Sequence, residues 1–332
     1  MNSAQNNTIA IHPLDPTPAK TNMMTPANDV NDDKHMTPPV ANETTASRLL
    51  KNYPLPAQFH ARYSLGQELG SGGFGFVISV KERSTGLERA VKFIYKNKVP
   101  ASAWVNGLPI EIYVLKNIQH DAIIGYVDSF EDDTYFYLVM ELHGSQWNQQ
   151  QGTNDVSPSS THLPGLSHTS DGPSDDDDDE EDDDNERKNE TTILGRRGSC
   201  DLFECIEQHR TFDESLAKSI FHQIVQCVAH LDKLGICHRD IKDENIVIDS
   251  NYKVKLIDFG SAVVLPPRHS RQKVLHRKFY GTIAFASPEI LRMEPYEAEP
   301  AEVWSLGVLL YTLVYGQVPF STPLLSFDRL PP

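Results

Sequence analysis

The chain has 332 residues, 39% of them hydrophobic, enough for a sizeable core in one or two domains. Its formal net charge is −16, but residues 171–190 hold thirteen acidic and two basic side chains, so the remainder carries only about −5. Net charge therefore says little about nucleic acid or membrane partners, and neither is expected as a partner; no run of 18 apolar residues suggests a membrane span, and the N-terminus lacks a signal-peptide layout.

Residues 1–58 are rich in Asn, Thr, Pro and Ala and poor in aromatics, which predicts disorder. Thr17, Thr25 and Thr37 each precede a proline; plain linker composition explains them as well as modification does. Order is expected from about residue 59, with strands in "RYSLGQELG", "FGFVISVKE" and "ERAVKFIYK", then a helix in "LPIEIYVLKNI" with Pro109 in its first turn. "AIIGYVDSFEDDTYFYLVMEL" reads as two more strands, giving a five-stranded antiparallel sheet plus one helix over 63–143. Residues 145–198, which contain "SDDDDDEEDDDNERK", read as a disordered acidic insertion. The pattern then turns helical over 199–332. "DLFECIEQH" and "SLAKSIFHQIVQCVAHLDKLG" are amphipathic, with Gly235 as a C-terminal cap, and "AEVWSLGVLLYTLVYG" is apolar nearly all round, predicting burial on every side. A sheet lobe followed by a helical lobe is an α+β layout. Cys200, Cys205, Cys227 and Cys237 show no CxxC spacing and are expected as reduced thiols.

"GSGGFGFV" supplies Gly70, Gly72 and Gly75. Glycines also mark ordinary turns, but here a strand follows rather than a helix, which disfavours a dinucleotide fold and suits a hairpin whose amides approach phosphates. Lys92 in "AVK" is either a solvated strand cation or a phosphate clamp held by a helix carboxylate, for which Glu111 is the candidate. "CHRDIKDEN" gives His238, Arg239, Asp240, Lys242 and Asn245, and "VKLIDFG" gives Asp258, Phe259 and Gly260; HRDxKxxN followed by DFG at this spacing is highly specific.

On these motifs, with "YGTIAFASPEIL" and "VWSLGVLLYTLVYGQVPF", the chain resembles a eukaryotic protein kinase catalytic domain of Ser/Thr type. Within the calmodulin-kinase-like group it is most similar to the PAS-domain kinases and, less closely, to the Pim kinases. The resemblance implies a bilobal fold and an ATP- and Mg²⁺-dependent enzyme acting on Ser/Thr hydroxyls of protein substrates, expected as a monomer in the cytoplasm or nucleus. It implies Asp240 as the group that orients the acceptor hydroxyl, Lys242 on the γ-phosphate, Lys92 with Glu111 on the α and β phosphates, and Asn245 and Asp258 on Mg²⁺. Leu69, Gly70, Ser71, Gly72, Gly73, Phe74, Gly75 and Val77 would cover the nucleotide. Val77, Ala90 and Val247 would enclose adenine, Met140 would back the pocket, and the hinge backbone at Glu141 and His143 would bond the base. Thr282 fits the Ser/Thr pattern. Asp201 and Glu244 match positions that hold basic residues N-terminal to the phosphosite, although both could be simply solvated.

Some positions depart from the family. Ser287-Pro288-Glu289 stands for the usual Ala-Pro-Glu, and Glu302 for an Asp ahead of the Trp-Ser-Leu-Gly helix start. The activation segment is long and basic (Arg268, Arg271, Lys273, Arg277, Lys278), with Ser270 and Tyr280 as its candidate phosphosites, and activity without phosphorylation there is expected. The sequence ends at Pro332, which leaves the partner Arg of Glu289 and the covers of Leu306, Leu309, Leu310 and Leu313 unaccounted for, so a non-catalytic kinase-like regulator is the alternative reading. No PAS sensor domain is expected within the stretch ahead of Tyr63.

Overall fold

The computed structural model describes residues 43–147, 195–267 and 273–320. The acidic tract, Thr17, Thr25, Thr37, Arg268, Ser270 and Arg271 lie outside these residues.

The described chain opens with two short helices, α1 (Thr45–Leu50) and α2 (Ala57–Arg62). This corrects the expectation of disorder up to residue 58. Thr44 caps α1 through its hydroxyl, and Leu50, Leu55 and Phe59 are buried against the sheet. Strands β1 (Tyr63–Gly72), β2 (Gly75–Glu82) and β3 (Glu88–Tyr95) follow, then a small ribbon of β4 (Trp104–Val105) and β5 (Leu108–Pro109) that leads into α3 (Ile110–Asn117). With β6 (Tyr126–Glu131) and β7 (Tyr135–Glu141) they form an antiparallel five-stranded sheet in the order β1-β2-β3-β7-β6.

Strand periodicity divides the packing of this sheet. Val91 and Phe93 of β3, with Tyr135, Tyr137 and Val139 of β7, face α1 and α2. Ala90, Ile94, Phe136, Leu138 and Met140 face the other way, into a core shared with α3 and the helical lobe. Lys92 lies opposite Val77 on β2 and Leu138 on β7.

The helical lobe begins with α4 (Leu202–His209) and the 20-residue α5 (Glu214–Lys233), which Gly235 (φ 71°) terminates in the left-handed region. Four short strands follow: β8 (Ile236–Cys237), β9 (Ile246–Ile248), β10 (Val254–Leu256) and β11 (Val263–Val264). They pair β9 with β10 and β8 with β11, so two hairpin-like ladders present the segments between them to the sheet lobe. Helices α6 (Pro288–Leu291) and α7 (Ala298–Tyr315) complete the described fold. α7 is not buried on every side. Leu306, Leu309 and Leu313 are buried as core, whereas Val303, Leu310, Val314 and Tyr315 are exposed. The cysteines are all free.

The edges of the 145–198 insertion are ordered, a second correction. Ser145 N donates to Ile248 O (3.1 Å), the Trp147 ring stacks on Tyr252, and the returning limb at 195–197 bonds to β1. Composition alone cannot show this, because these few residues are held by partners far away in sequence.

Candidate active site

The site is built where the sheet's inner face meets the β8–β9 and β10–β11 connections. Its roof is the β1–β2 hairpin, in which Gly72 pairs with Gly75 and Phe74 stands exposed at the tip. Gly75 has a steric reason: a Cβ there would lie 2.0 Å from Phe93 O. Gly70, Ser71, Gly72 and Gly73 form the open edge, while Leu69 and Val77 pack on the inner core. Ala90 sits opposite Met140, and both belong to that core, as Val247 does from the lower lobe. The apolar walls expected for a base are therefore brought together.

At the hinge, the side chains of Glu141 and His143 turn to the lower lobe. Glu141 Oε1 accepts from Gly125 N (2.6 Å) and Lys255 Nζ (2.7 Å), and His143 Nε2 pairs with Lys253 O (2.9 Å). Gly144 holds φ 101°, and a Cβ there would approach Cys200 Cβ to 2.6 Å.

Lys92 Nζ is the centre of a buried ion cluster, 2.7 Å from Glu111 Oε1 and 2.9 Å from Asp258 Oδ1. Lys92 and Glu111 are 9% and 4% exposed. Burial disfavours the ammonium, but the two carboxylates outweigh it and raise the lysine pKa. Burial also pushes Glu111 up to about 7 against the pull of Lys92, while Asp258, despite its own burial penalty, is held down to about 2 by Lys92. Asp258 adopts φ 63°, ψ 71°, a left-handed conformation that is costly for a residue with a Cβ and recurs at functional sites.

The catalytic-loop residues are held from below. His238, fully buried and kept neutral chiefly by that burial, bonds Ile257 O through Nε2 (3.0 Å) and accepts from Asp240 N at Nδ1 (3.3 Å). Arg239 has φ 64°; its backbone N–H donates to Glu302 Oε2 (2.8 Å) and its guanidinium to Ser261 O and Ala262 O, with Tyr280 against its face. The Asp240 carboxylate accepts from Asn245 Nδ2 (2.9 Å), Thr282 N (2.8 Å) and Thr282 Oγ1 (2.9 Å). Asn245 Nδ2 also donates to Asp240 O (2.8 Å), which commits both amide protons and leaves Oδ1 as an acceptor. Lys242 is paired with Glu244, whose side chain is 53% exposed.

Asp201 has a structural task as well as the expected one. It is the N-cap of α4, where its Oδ1 accepts from Glu204 N (2.9 Å) and its Oδ2 from Ser199 Oγ. Burial is the largest influence on it and raises its pKa, with the Glu204 and Glu244 charges adding to the rise. It is thus neither a free solvated acid nor a fully open one. In sequence Glu302 is only a departure from the family pattern, yet in the fold it anchors the catalytic loop. Burial pushes it up to about 7, opposed by the backbone N–H groups of Arg239 and His238. A third acid in the run Glu297, Glu299, Glu302, placed directly before the apolar stretch of α7, is the signal that could have found it. Among the described residues, no group of three or more His, Cys, Asp and Glu is arranged to hold a metal.

Comparison with known proteins agrees with this arrangement. The protein kinase domain family matches residues 63–158 and 186–325, well over half of the chain, and the break between them spans most of the acidic tract. The chain is 36% identical over 268 residues to the PAS domain-containing serine/threonine-protein kinase of Mus musculus, covering 79% of this chain and 15% of that protein. It is 31% identical to serine/threonine-protein kinase PSK1 of Saccharomyces cerevisiae, over 76% of this chain and 15% of that protein. Serine/threonine-protein kinase pim-2 of Danio rerio is 31% identical, over 79% of this chain and 70% of its own length. The chain spans only about 15% of the length of the first two relatives.

Proposed function

This chain belongs to the protein kinase family, as a Ser/Thr protein kinase, and we propose that it transfers the γ-phosphoryl group of ATP to Ser or Thr hydroxyls in protein segments with Arg or Lys N-terminal to the acceptor. The observation that carries this reading is the three-donor grip on the Asp240 carboxylate by Asn245 and Thr282, beside a Lys92–Glu111–Asp258 cluster that is already closed.

Phosphoryl transfer rests on positioning and on charge stabilisation. In this reading Asp240, with its rotamer fixed by three donors, orients the acceptor hydroxyl and takes its proton. Lys92 keeps its charge because two carboxylates hold it, so it presents a fixed cation to the α and β phosphates. Lys242 exchanges Glu244 for the γ-phosphate. Leu69, Val77, Ala90, Met140 and Val247 enclose the base. With the hinge side chains engaged elsewhere and the Glu141 N–H given to Gly125 O (2.9 Å), the Glu141 carbonyl and the His143 backbone are left to bond it.

The donor set also fits Mg²⁺. Asp258 is a carboxylate held ionised, with about half of its side chain open to the cleft, and Asn245 offers a carbonyl oxygen; hard oxygen donors in small number suit an ion shared with phosphate oxygens. When bound there, the ion supplies neutralisation of phosphate charge.

The preference for basic substrates rests on Asp201, Glu244 and Glu204, three acids grouped at the start of α4 and the catalytic loop. The test is a peptide array phosphorylated by the purified chain with Mg²⁺ and labelled ATP, with Asp240→Asn in parallel. Wild-type signal should exceed the variant by about 10²–10⁴-fold, and peptides with Arg at positions −2 to −5 should lead. Equal background signal from both proteins refutes the enzymatic reading. Turnover without any gain from upstream Arg refutes the substrate preference alone.

A further inference from the structure

Strand β1 has β2 on one edge only, and residues 195–197 occupy part of the other. Glu68 N donates to Gly195 O (3.0 Å) and Arg197 N donates to Glu68 O (2.9 Å), making a parallel bridge one residue long. The Arg197 guanidinium reaches Glu88 at the start of β3 (3.3 Å). Three residues later the same segment is fixed to the lower lobe, where Cys200 O accepts from Ile248 N (3.0 Å). Between these anchors lies Ser199, whose hydroxyl donates to the Asp201 carboxylate. Residues 195–200 are therefore a strap from β1, next to the nucleotide-covering hairpin, to the base of α4.

The strap reads Gly195-Arg196-Arg197-Gly198-Ser199. Its serine has arginines two and three residues upstream, the pattern the proposed activity favours. Arg196 and Gly198 are exposed, Ser199 is half-buried, and only two backbone hydrogen bonds hold the segment to β1. So short a pairing opens at little cost, which lets the segment extend into an active site.

We propose that Ser199 is a phosphorylation site and that phosphate on it detaches the strap from β1. The acceptor pattern rests on the proposed preference for basic substrates. In the transfer, a bond forms between Ser199 Oγ and the γ-phosphorus of ATP as the bond from that phosphorus to the β–γ bridging oxygen breaks. ADP leaves with the bridging oxygen, and the hydroxyl proton passes to the Asp240 carboxylate of the copy acting as enzyme.

The consequence follows from charge and donors. A phosphorylated Ser199 has no proton to give Asp201, and a dianion then faces a carboxylate already crowded by Glu204 and Glu244. Arg197 also finds a stronger partner in a phosphate two residues away than in Glu88, which is 62% exposed. Both changes pull the strap off Glu68.

The experiment incubates the full chain with Mg·ATP and maps phosphate by mass spectrometry. In parallel it assays a peptide containing Arg-Arg-Gly-Ser against its Ala-Ala-Gly-Ser version. The expected result is phosphate on Ser199, none at that position in Ser199→Ala, and amide exchange at Glu68 and Arg197 faster by about tenfold in the phosphorylated chain. Turnover of the Arg peptide with Ser199 unmodified overturns the inference and leaves the functional reading standing. If neither peptide is turned over, the functional reading fails. The site is then decided by treating Asp240→Asn with a purified kinase of Arg-Arg-x-Ser specificity. Absence of phosphate on Ser199, or unchanged exchange at Glu68 and Arg197 once phosphate is present, overturns the inference in either arm.

Discussion

Replacing Lys92 by Met removes the one ammonium that compensates Glu111 while keeping a long, slender side chain. Glu111 is 4% exposed, so the charge left behind has almost no water to solvate it. Breaking a buried pair from one side costs about 3–5 kcal/mol. At roughly 2–4 °C per kcal/mol for a domain of this size, the melting temperature should fall by about 10 °C. Asp258 adds less, because half of its side chain is open to solvent. The pH dependence has a definite sign. Without Lys92, the folded-state pKa of Glu111 rises above about 7, further from its ordinary value near 4.5. A carboxyl raised in the folded state is stabilising only while protonated, so the penalty is fully present above the folded pKa and shrinks as pH falls towards the unfolded one. Urea denaturation at pH 8 and pH 5.5 should therefore show the larger loss at pH 8. Adding Glu111→Leu removes the stranded charge and should bring stability back to within about 1–2 kcal/mol of wild type. A single variant within about 1 kcal/mol of wild type at pH 8, or a double variant no more stable than the single, would refute a compensated buried pair.

Three further outcomes are open to measurement. Glu302→Gln keeps an acceptor for Arg239 N but removes a carboxyl whose folded pKa is about 7, so its share of the fall in wild-type stability between pH 4.5 and 7, on the order of 3 kcal/mol, should vanish in the variant while the share from Glu111 remains; parallel pH profiles would contradict it. Phe59→Ala empties a site buried against Tyr63, Phe93 and Tyr137 and should cost about 3–5 kcal/mol in chemical denaturation; a loss below about 1 kcal/mol would mean that α2 is not part of the folded unit. Gly144→Ala forces a Cβ onto a backbone with φ 101°, close to Cys200, and should cost about 1–3 kcal/mol with a raised KM for ATP; an unchanged melting temperature and KM would show that the hinge relaxes freely.

The parts legible in the sequence are those where chemistry or periodicity dictates residue type. The near-continuous apolar runs of β3 and β7 announce strands buried on both faces, and Asp240, Asn245 and Asp258 stand out because they fall in the HRDxKxxN and DFG motifs that carry the family resemblance. What stayed hidden depends on distant partners. Leu50, Leu55 and Phe59 are diluted by the polar residues before them, and their value appears only when the aromatic face of β3 and β7 is there to cover. The 195–197 limb carries no strand signature, since its order comes from the unpaired edge of β1. The structural task of Asp201 is legible locally, because an Asp before an apolar helical run, with Glu204 three residues on, is a capping pattern.

The α1 cap on β1 bears on how this domain is best cut. Ala46 N donates to Glu68 Oε2 at 2.6 Å, and Glu68 is 3% exposed. A version trimmed to begin at Tyr63, where the family match starts, would delete that donor and strip the cover from Phe93, Tyr135 and Tyr137. The trimmed protein would carry a stranded acid beside a newly wetted aromatic sheet face, a combination that favours self-association in the test tube. Expression from residue 43 onward should yield the better-behaved sample for crystallisation or labelling.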